Sequence, residues 1–144
     1  MSKTLNRQAR ESYPFHLEIE TRFTDTDMGG HLNNVSILLY YQDGRVPFLL
    51  DCLPELAPQT GWGLRLARCD VSYDGQTYYP GPIEVSSGIE QVGDNWIRVA
   101  QALFQHGQCV GQCEVILVLA EDEGQPAAFS PAQRARLEAR MLGS

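Results

Sequence analysis

The chain lacks any long apolar run. Its most hydrophobic stretch, Val115–Ala120, has the length of a strand, whereas a membrane-spanning helix needs about 20 apolar residues, so no membrane role is expected. Met1–Ser12 is polar and lacks the apolar core of a secretory leader, so none is expected there. Cysteine is sparse. Cys52, Cys69, Cys109 and Cys113 are too few for a disulfide scaffold, which points to a reducing, cytoplasmic setting and makes the sequon Asn34-Val35-Ser36 accidental. Positive charge is short as well: 11 Lys and Arg against 18 Asp and Glu leave a net charge of -7, which argues against a nucleic-acid partner. A small anionic ligand remains compatible, because a local basic patch suffices for it.

Several chemical motifs are missing too. There is no Gly-x-Ser-x-Gly nucleophile elbow. Asp25-x-Asp27-x-Gly29-Gly30 opens like a calcium loop, but an oxygen ligand is wanting at Gly29 and a glutamate at Ser36. Cys109 and Cys113 have the spacing of one strand face and no histidine pair beside them, so they do not read as a zinc site. Gly61 and Gly63 lack the third glycine of a dinucleotide loop. No metal and no cofactor is expected.

What is present fits one α+β domain over 1–144, long enough to bury a core. Met1–Tyr13 reads as a loose polar lead-in. Phe15–Phe23 alternates, with Leu17, Ile19, Thr21 and Phe23 on one face and Glu18, Glu20 and Arg22 on the other, which predicts a half-buried strand. From Asn34 the period becomes helical through Val35, Leu38, Leu39, Gln42 and Val46. Ile37, Tyr41, Phe48 and Leu49 widen the arc until the helix Val35–Leu50 reads as buried on most sides. Asn33 or Asn34 serves as its N-cap, and Gly44 and Pro47 predict a bend or break near Asp43–Val46.

Leu53–Gly63 reads as a loop. Four strands follow at Leu64–Tyr73, Ile83–Val92, Trp96–Gln105 and Cys109–Ala120, separated by Asp74-Gly75, Gly81-Pro82, Gly93-Asp94-Asn95 and His106-Gly107-Gln108. The last two gaps are short enough for antiparallel hairpins. A polar linker over Glu121–Phe129 leads to Ser130-Pro131-Ala132-Gln133, an N-cap, a first-turn proline and a capping-box glutamine. These open a C-terminal helix over about 130–142. The simplest packing wraps the sheet around the apolar helix.

The joint between the first strand and that helix concentrates the chemistry. Thr24–Asn34 holds Asp25, Asp27, Gly29, Gly30, His31, Asn33 and Asn34. A carboxylate here lies beside a helix N-terminus, whose unpaired N–H groups suit an oxyanion, and paired glycines let a ligand approach the backbone. Taken alone, Asp27 reads equally as a turn aspartate and Asn34 as a simple cap.

Asp25-Thr26-Asp27-x-x-Gly30-His31-Leu32-Asn33-Asn34, closing in Asp43-Gly44-Arg45, resembles the signature of hotdog-fold acyl-CoA thioesterases, in particular the 4-hydroxybenzoyl-CoA thioesterase-like branch. The element order from about Phe15 to Glu123 is also similar, so the resemblance covers most of the chain. It implies a curved antiparallel sheet around a central helix. It also implies dimers joined edge to edge, with the active site across the interface, and in some cases dimers of dimers.

For the site, the resemblance implies Asp27 as nucleophile or base, His31 as an assistant that polarises the carbonyl or pairs with Asp27, and the Asn34 main-chain amide as oxyanion donor. Asp25 is assigned to turn or capping hydrogen bonds. Gly29, Gly30 and Asn33 frame the substrate, and Arg65 and Arg68 are the basic residues assigned to coenzyme A phosphates. Two departures, Ile37 where relatives often carry tyrosine and Asp43 where many carry glutamate, bear on acyl preference.

The expected activity is hydrolysis of an acyl- or aroyl-CoA thioester. The alternatives are a thioesterase acting on acyl carrier protein and a non-catalytic acyl-binding module. A hotdog dehydratase would want a histidine on the central helix, and Val35–Leu50 has none.

Overall fold

The computed structural model describes residues 5–56, 63–120 and 127–144. Its regular elements are β1 (Phe15–Glu20), α1 (Asn34–Cys52), β2 (Gly63–Tyr73), β3 (Pro82–Val92), β4 (Trp96–Gln105), β5 (Gln108–Ala120) and α2 (Pro131–Glu138). The five strands form one curved antiparallel sheet in the order β1-β3-β4-β5-β2, wrapped against α1. The β4–β5 hairpin closes on His106 and Gly107, both at positive φ (53° and 77°), as a two-residue turn requires. β1 and β2 are the two edges.

The core lies between the sheet and one side of α1. Tyr40, Tyr41, Phe48 and Leu49 meet Ile83, Val85 and Ile89 of β3, Ile97 and Val99 of β4, and Val115 and Leu117 of β5. Burying such side chains contributes about 1.5–3 kcal/mol each.

Several expectations are corrected. The bend near Asp43–Val46 is absent, and α1 is continuous through Gly44 and Pro47. Pro47 and Asp43 both face solvent, so water can solvate the Asp43 carbonyl that the proline leaves without its helical donor. Gly44 is there for contact, not flexibility: a Cβ at this position would lie 2.5 Å from Val85 Cγ1. Nor is α1 buried on most sides. Val35, Leu38, Leu39, Val46 and Leu50 form an exposed apolar stripe, because a five-stranded sheet covers only one side of the helix.

The first strand stops at Glu20. The chain then folds into a 3-10 turn over Phe23–Asp25, and Phe23 is exposed rather than facing the core. The lead-in is not loose over its described part. Tyr13 is buried and donates its hydroxyl to the Arg7 carbonyl at 2.7 Å, while Arg7 pairs with Glu90 and, at 2.9 Å, with Glu114. The C-terminal helix keeps its predicted capping box but ends at Glu138. Beyond it the main chain turns onto β3: Ile89 N–H donates to the Arg140 carbonyl at 3.0 Å, and Leu142 N–H donates to the Ile89 carbonyl at 2.8 Å. The register shift between Ile89 and Gln91 interrupts the β3–β4 ladder at that point. Residues 57–62 of the predicted loop and 121–126 of the predicted linker lie outside the described residues.

Candidate active site

The joint between β1 and α1 is a small closed loop. Asp27 N–H donates to the His31 carbonyl at 2.7 Å, and Thr26 bridges Leu32. Asp27 Oδ1 accepts from Gly29 N–H at 2.8 Å and from His31 N–H at 3.1 Å. The aspartate therefore does hold the turn, as its simplest reading requires. Its second oxygen, Oδ2, has no donor among the described residues, and nearly half of the side chain is exposed. Gly30 sits at φ +81°, a conformation glycine adopts without strain, and a Cβ on Gly29 would press the His31 ring at 3.2 Å. The His31 ring stays within 3.9 Å of Asp27 Oδ1, an ion pair when the histidine is protonated, and packs on Tyr78 with centroids 5.0 Å apart.

Asn33, not Asn34, is the N-cap of α1: its side chain accepts from Val35 N–H at 2.8 Å. This leaves Asn34 as the first helical residue, with an N–H that has no acceptor among the described residues. Asp27, Leu32, Asn33, Asn34, Ile37, Tyr73 and Thr77 line one open cleft of about 530 Å³. A free carboxylate oxygen and a free helix-entry amide thus share a cleft whose inner wall is the buried, apolar Ile37. Exposed Asp43 lies farther along α1 and is no part of it.

Asp25 supports the joint from below. Its buried carboxylate accepts from Tyr40 Oη at 2.5 Å and from Arg22 Nε at 2.9 Å, and its carbonyl takes Asn33 N–H at 2.7 Å. The Tyr40 hydroxyl, and next to it Arg22, hold the Asp25 carboxyl below its ordinary value. A carboxyl depressed in the fold stabilises it above the unfolded pKa, about 4, and loses that stabilisation as pH falls through the folded value. Tyr40→Phe should therefore lower stability by about 1 kcal/mol at pH 6–7. The gap to wild type should close as pH drops below about 4, which denaturant titrations at several pH values will read.

The opposite wall comes from residues that sequence reasoning missed. Tyr73 Oη donates to the Asn34 carbonyl at 3.0 Å, Leu32 N–H donates to the Thr77 carbonyl at 2.9 Å, and His31 bridges Tyr78. Tyr78 is in turn clasped by buried Gln105, which accepts its N–H at 2.9 Å and donates to its carbonyl at 2.8 Å. No local pattern marks these residues. The one available signal is Gln105, a polar residue at the end of the largely apolar run Val99–Gln105.

Arg65 and Arg68 are not brought to this cleft. Both are exposed on β2 and make no ion pair among the described residues, and Arg68 precedes the cleft residue Tyr73 by roughly 17 Å of strand. Among the described residues, no group of three or more His, Cys, Asp or Glu is placed to hold a metal ion, and no helix is long and apolar enough to cross a membrane.

An antiparallel sheet wrapped on a long helix, with an acid-and-glycine joint at the helix entrance, is the hotdog architecture of thioesterases. Over residues 21–137 the sequence matches the thioesterase-like superfamily, and the chain belongs to that family. Among solved structures it is similar to a predicted thioesterase from Bacillus stearothermophilus, with a TM-score of 0.83 and 25% identity over 90% of this chain and 98% of that one. It is also similar to a Thermus thermophilus thioesterase complexed with coenzyme A and Zn, with a TM-score of 0.80 and 25% identity over 90% of this chain and 95% of that one. A DHNA-CoA thioesterase from Staphylococcus aureus, 16% identical with a TM-score of 0.77 over 87% of this chain and 89% of that one, shares the fold. A curated relative, the uncharacterized protein YsmA of Bacillus subtilis, is 36% identical over 39 residues. That match spans 27% of this chain and 26% of the relative's length.

Proposed function

We propose that this chain is a single hotdog domain that hydrolyses an acyl- or aroyl-CoA thioester to free acid and coenzyme A, in the reducing cytoplasm that its four free cysteines suit. The observation that carries the reading is that Asp27, with one uncommitted carboxylate oxygen, and Asn34, with an unpaired N–H, line the same cleft. A thioester carbonyl lying across the helix entrance would place its oxygen at that amide, where the partial positive charge of the helix favours the developing oxyanion. Asp27 Oδ2 then attacks the carbonyl carbon or takes a proton from an attacking water. The carbon–sulfur bond breaks and the thiolate departs without needing a strong acid. His31 polarises the carbonyl or sets the charge of Asp27. Ile37 gives the inner wall apolar character, and Gly29, Gly30 and Asn33 bound the entrance.

The test is loss of thioester ultraviolet absorbance across short, long and aromatic acyl-CoAs, which avoids thiol reagents and the four cysteines. Turnover of at least one CoA substrate is expected. A folded chain that binds acyl-CoA without turning it over would favour the acyl-binding module. Turnover confined to an acyl carrier protein would move the carrier.

The same reading includes a homodimer, with a dimer of dimers as the larger form. Edge strand β2 exposes eleven residues of unpaired backbone edge beside the apolar stripe of α1, a combination that favours pairing with another strand. Antiparallel pairing of β2 with its copy would run the Arg65 end of one strand alongside the Tyr73 end of the other. That arrangement supplies each cleft with the cations its own chain holds at a distance. Light scattering should give a mass of twice 16.1 kDa or a multiple of it, and Leu39→Asp should shift it toward the monomer. A wild-type monomer that turns over substrate would remove the interface from the reading.

A further inference from the structure

Gln105 is the last residue of β4, where it pairs with Gln108 at the end of the β4–β5 hairpin, and it is only 4% exposed. Beside it runs the connection between β2 and β3, residues 74–81, which carries no strand of its own. The ends of that connection are tied down: the Asp74 and Gly75 N–H groups donate to the Val110 carbonyl at 3.0 Å each, and the Gly81 carbonyl accepts from Thr21 Oγ1 at 2.6 Å. Gln105 ties the middle. Its Oε1 accepts from the Tyr78 N–H at 2.9 Å, and its Nε2 donates to the Tyr78 carbonyl at 2.8 Å. One side-chain amide thus satisfies both main-chain groups of one residue, as a neighbouring strand would. Releasing it would leave buried donors and acceptors unpaired, so the clasp is rigid.

Tyr78 in turn holds an imidazole. Its ring centroid lies 5.0 Å from that of His31 at an interplanar angle of 54°, and the two main chains form an antiparallel bridge. The Gly29 main chain crowds the Nδ1 edge of the same imidazole, since a Cβ added at Gly29 would lie 3.2 Å from Nδ1. These contacts keep Nδ1 3.9 Å from Asp27 Oδ1 although about a third of the His31 side chain is exposed. The Tyr78 hydroxyl makes no hydrogen bond among the described residues and the side chain is half exposed, so its ring is what acts on His31. None of these residues lies on β2, the strand that pairs in the proposed homodimer.

We propose that Gln105 is a positioning residue for His31: by clasping the Tyr78 main chain it holds the Tyr78 ring against the imidazole and so keeps the imidazole beside Asp27. The catalytic consequence rests on the thioesterase reading, in which His31 polarises the carbonyl or sets the charge of Asp27. The geometric consequence does not.

Gln105→Leu keeps the bulk of the side chain and strands the Tyr78 N–H and carbonyl. For the best acyl-CoA, kcat should fall by roughly 10–10²-fold with KM within about twofold, as for a misplaced catalytic group. In a His31→Ala background the same substitution should cost less than about twofold, because the group it positions is gone. An undiminished loss in that background would overturn the proposal, as would an unchanged kcat in Gln105→Leu alone. Should this core variant fail to fold, Tyr78→Leu at its half-exposed position should reproduce both results, and Tyr78→Phe, which keeps the ring, should restore turnover. A second measurement needs no substrate. In the wild type the His31 ring protons should show nuclear Overhauser contacts to the Tyr78 ring, and these should vanish in Gln105→Leu, or in Tyr78→Leu relative to Tyr78→Phe, while the His31 resonances shift. Unmoved His31 resonances would sink the positioning role even where thioesters are hydrolysed. Lost contacts in a chain whose wild type hydrolyses no acyl-CoA would remove the thioesterase reading and leave Gln105 in its role.

Discussion

Asp27→Asn should reduce kcat/KM for the best acyl-CoA by roughly 10²–10⁴-fold, the range removed with a carboxylate that acts as base or nucleophile. The substitution suits the geometry unusually well. Asp27 Oδ1 is occupied by the N–H groups of Gly29 and His31, and an asparagine oxygen accepts both as well. The loop and the helix entrance should therefore survive, and the change falls on the charge and on Oδ2. A thousandfold loss corresponds to about 4 kcal/mol of transition-state stabilisation, far more than a side chain this exposed contributes to folding. Circular dichroism and thermal midpoints should match wild type while absorbance-monitored turnover collapses. Equal turnover by the two proteins would remove Asp27 from the chemistry and leave it as a turn residue.

Gly44→Ala should destabilise the fold although it raises helix propensity. In an exposed helix the change would gain about 1 kcal/mol. Here the new methyl would lie 2.5 Å from Val85 Cγ1 and 2.7 Å from its Cβ, inside the contact between α1 and β3, and Val85 is fully buried. Forced overpacking of a core costs about 1–3 kcal/mol, and contacts this short on a branched side chain belong at the top of that range. The net expectation is a loss of about 2 kcal/mol, or a thermal midpoint lower by roughly 4–8 °C. Val85→Ala alone should destabilise by opening a cavity, yet in the double variant the methyl added on α1 occupies the vacated space. The two costs should then add to less than their sum. Strict additivity would show that the helix shifts to avoid Val85 and that this contact does not fix its position.

The sequence placed much of this correctly because much of it is local. Alternation and turn residues located β2 through β5 to within one residue at each end. Ser130, Pro131 and Gln133 marked the start of α2, since a capping box is a contact between residues three apart. The candidate site was legible for the same reason: Asp27, Gly29, Gly30, His31, Asn33 and Asn34 lie within eight consecutive positions. One turn and one helix entrance hold them together whatever the rest of the chain does.

The misreadings fell where a distant residue decides. Gly44 looked like a helix breaker because its role depends on Val85, forty-one positions away. The breadth of the apolar arc on α1 suggested burial all round, but hydrophobicity does not say how much sheet is available to cover it. Nor could periodicity show that Tyr73 and Thr77 form the second wall of the cleft, or that Tyr78 backs His31 with Gln105 clasping it, because those contacts exist only once β2, β4 and α1 are in place. Arg65 and Arg68, grouped with the site by charge, lie apart from the cleft of their own chain along β2, and the proposed pairing of two chains would bring them to the partner's cleft.

By itself the sequence determined the element order, the family signature and the composition of the joint, all of which rest on hydrogen-bond capacity and side-chain spacing along a short stretch of backbone. Only the tertiary structure decided which faces of α1 are covered, what holds the joint against the sheet and which oxygen of Asp27 stays free. Those outcomes depend on long-range packing and on which donors remain after every local bond has formed.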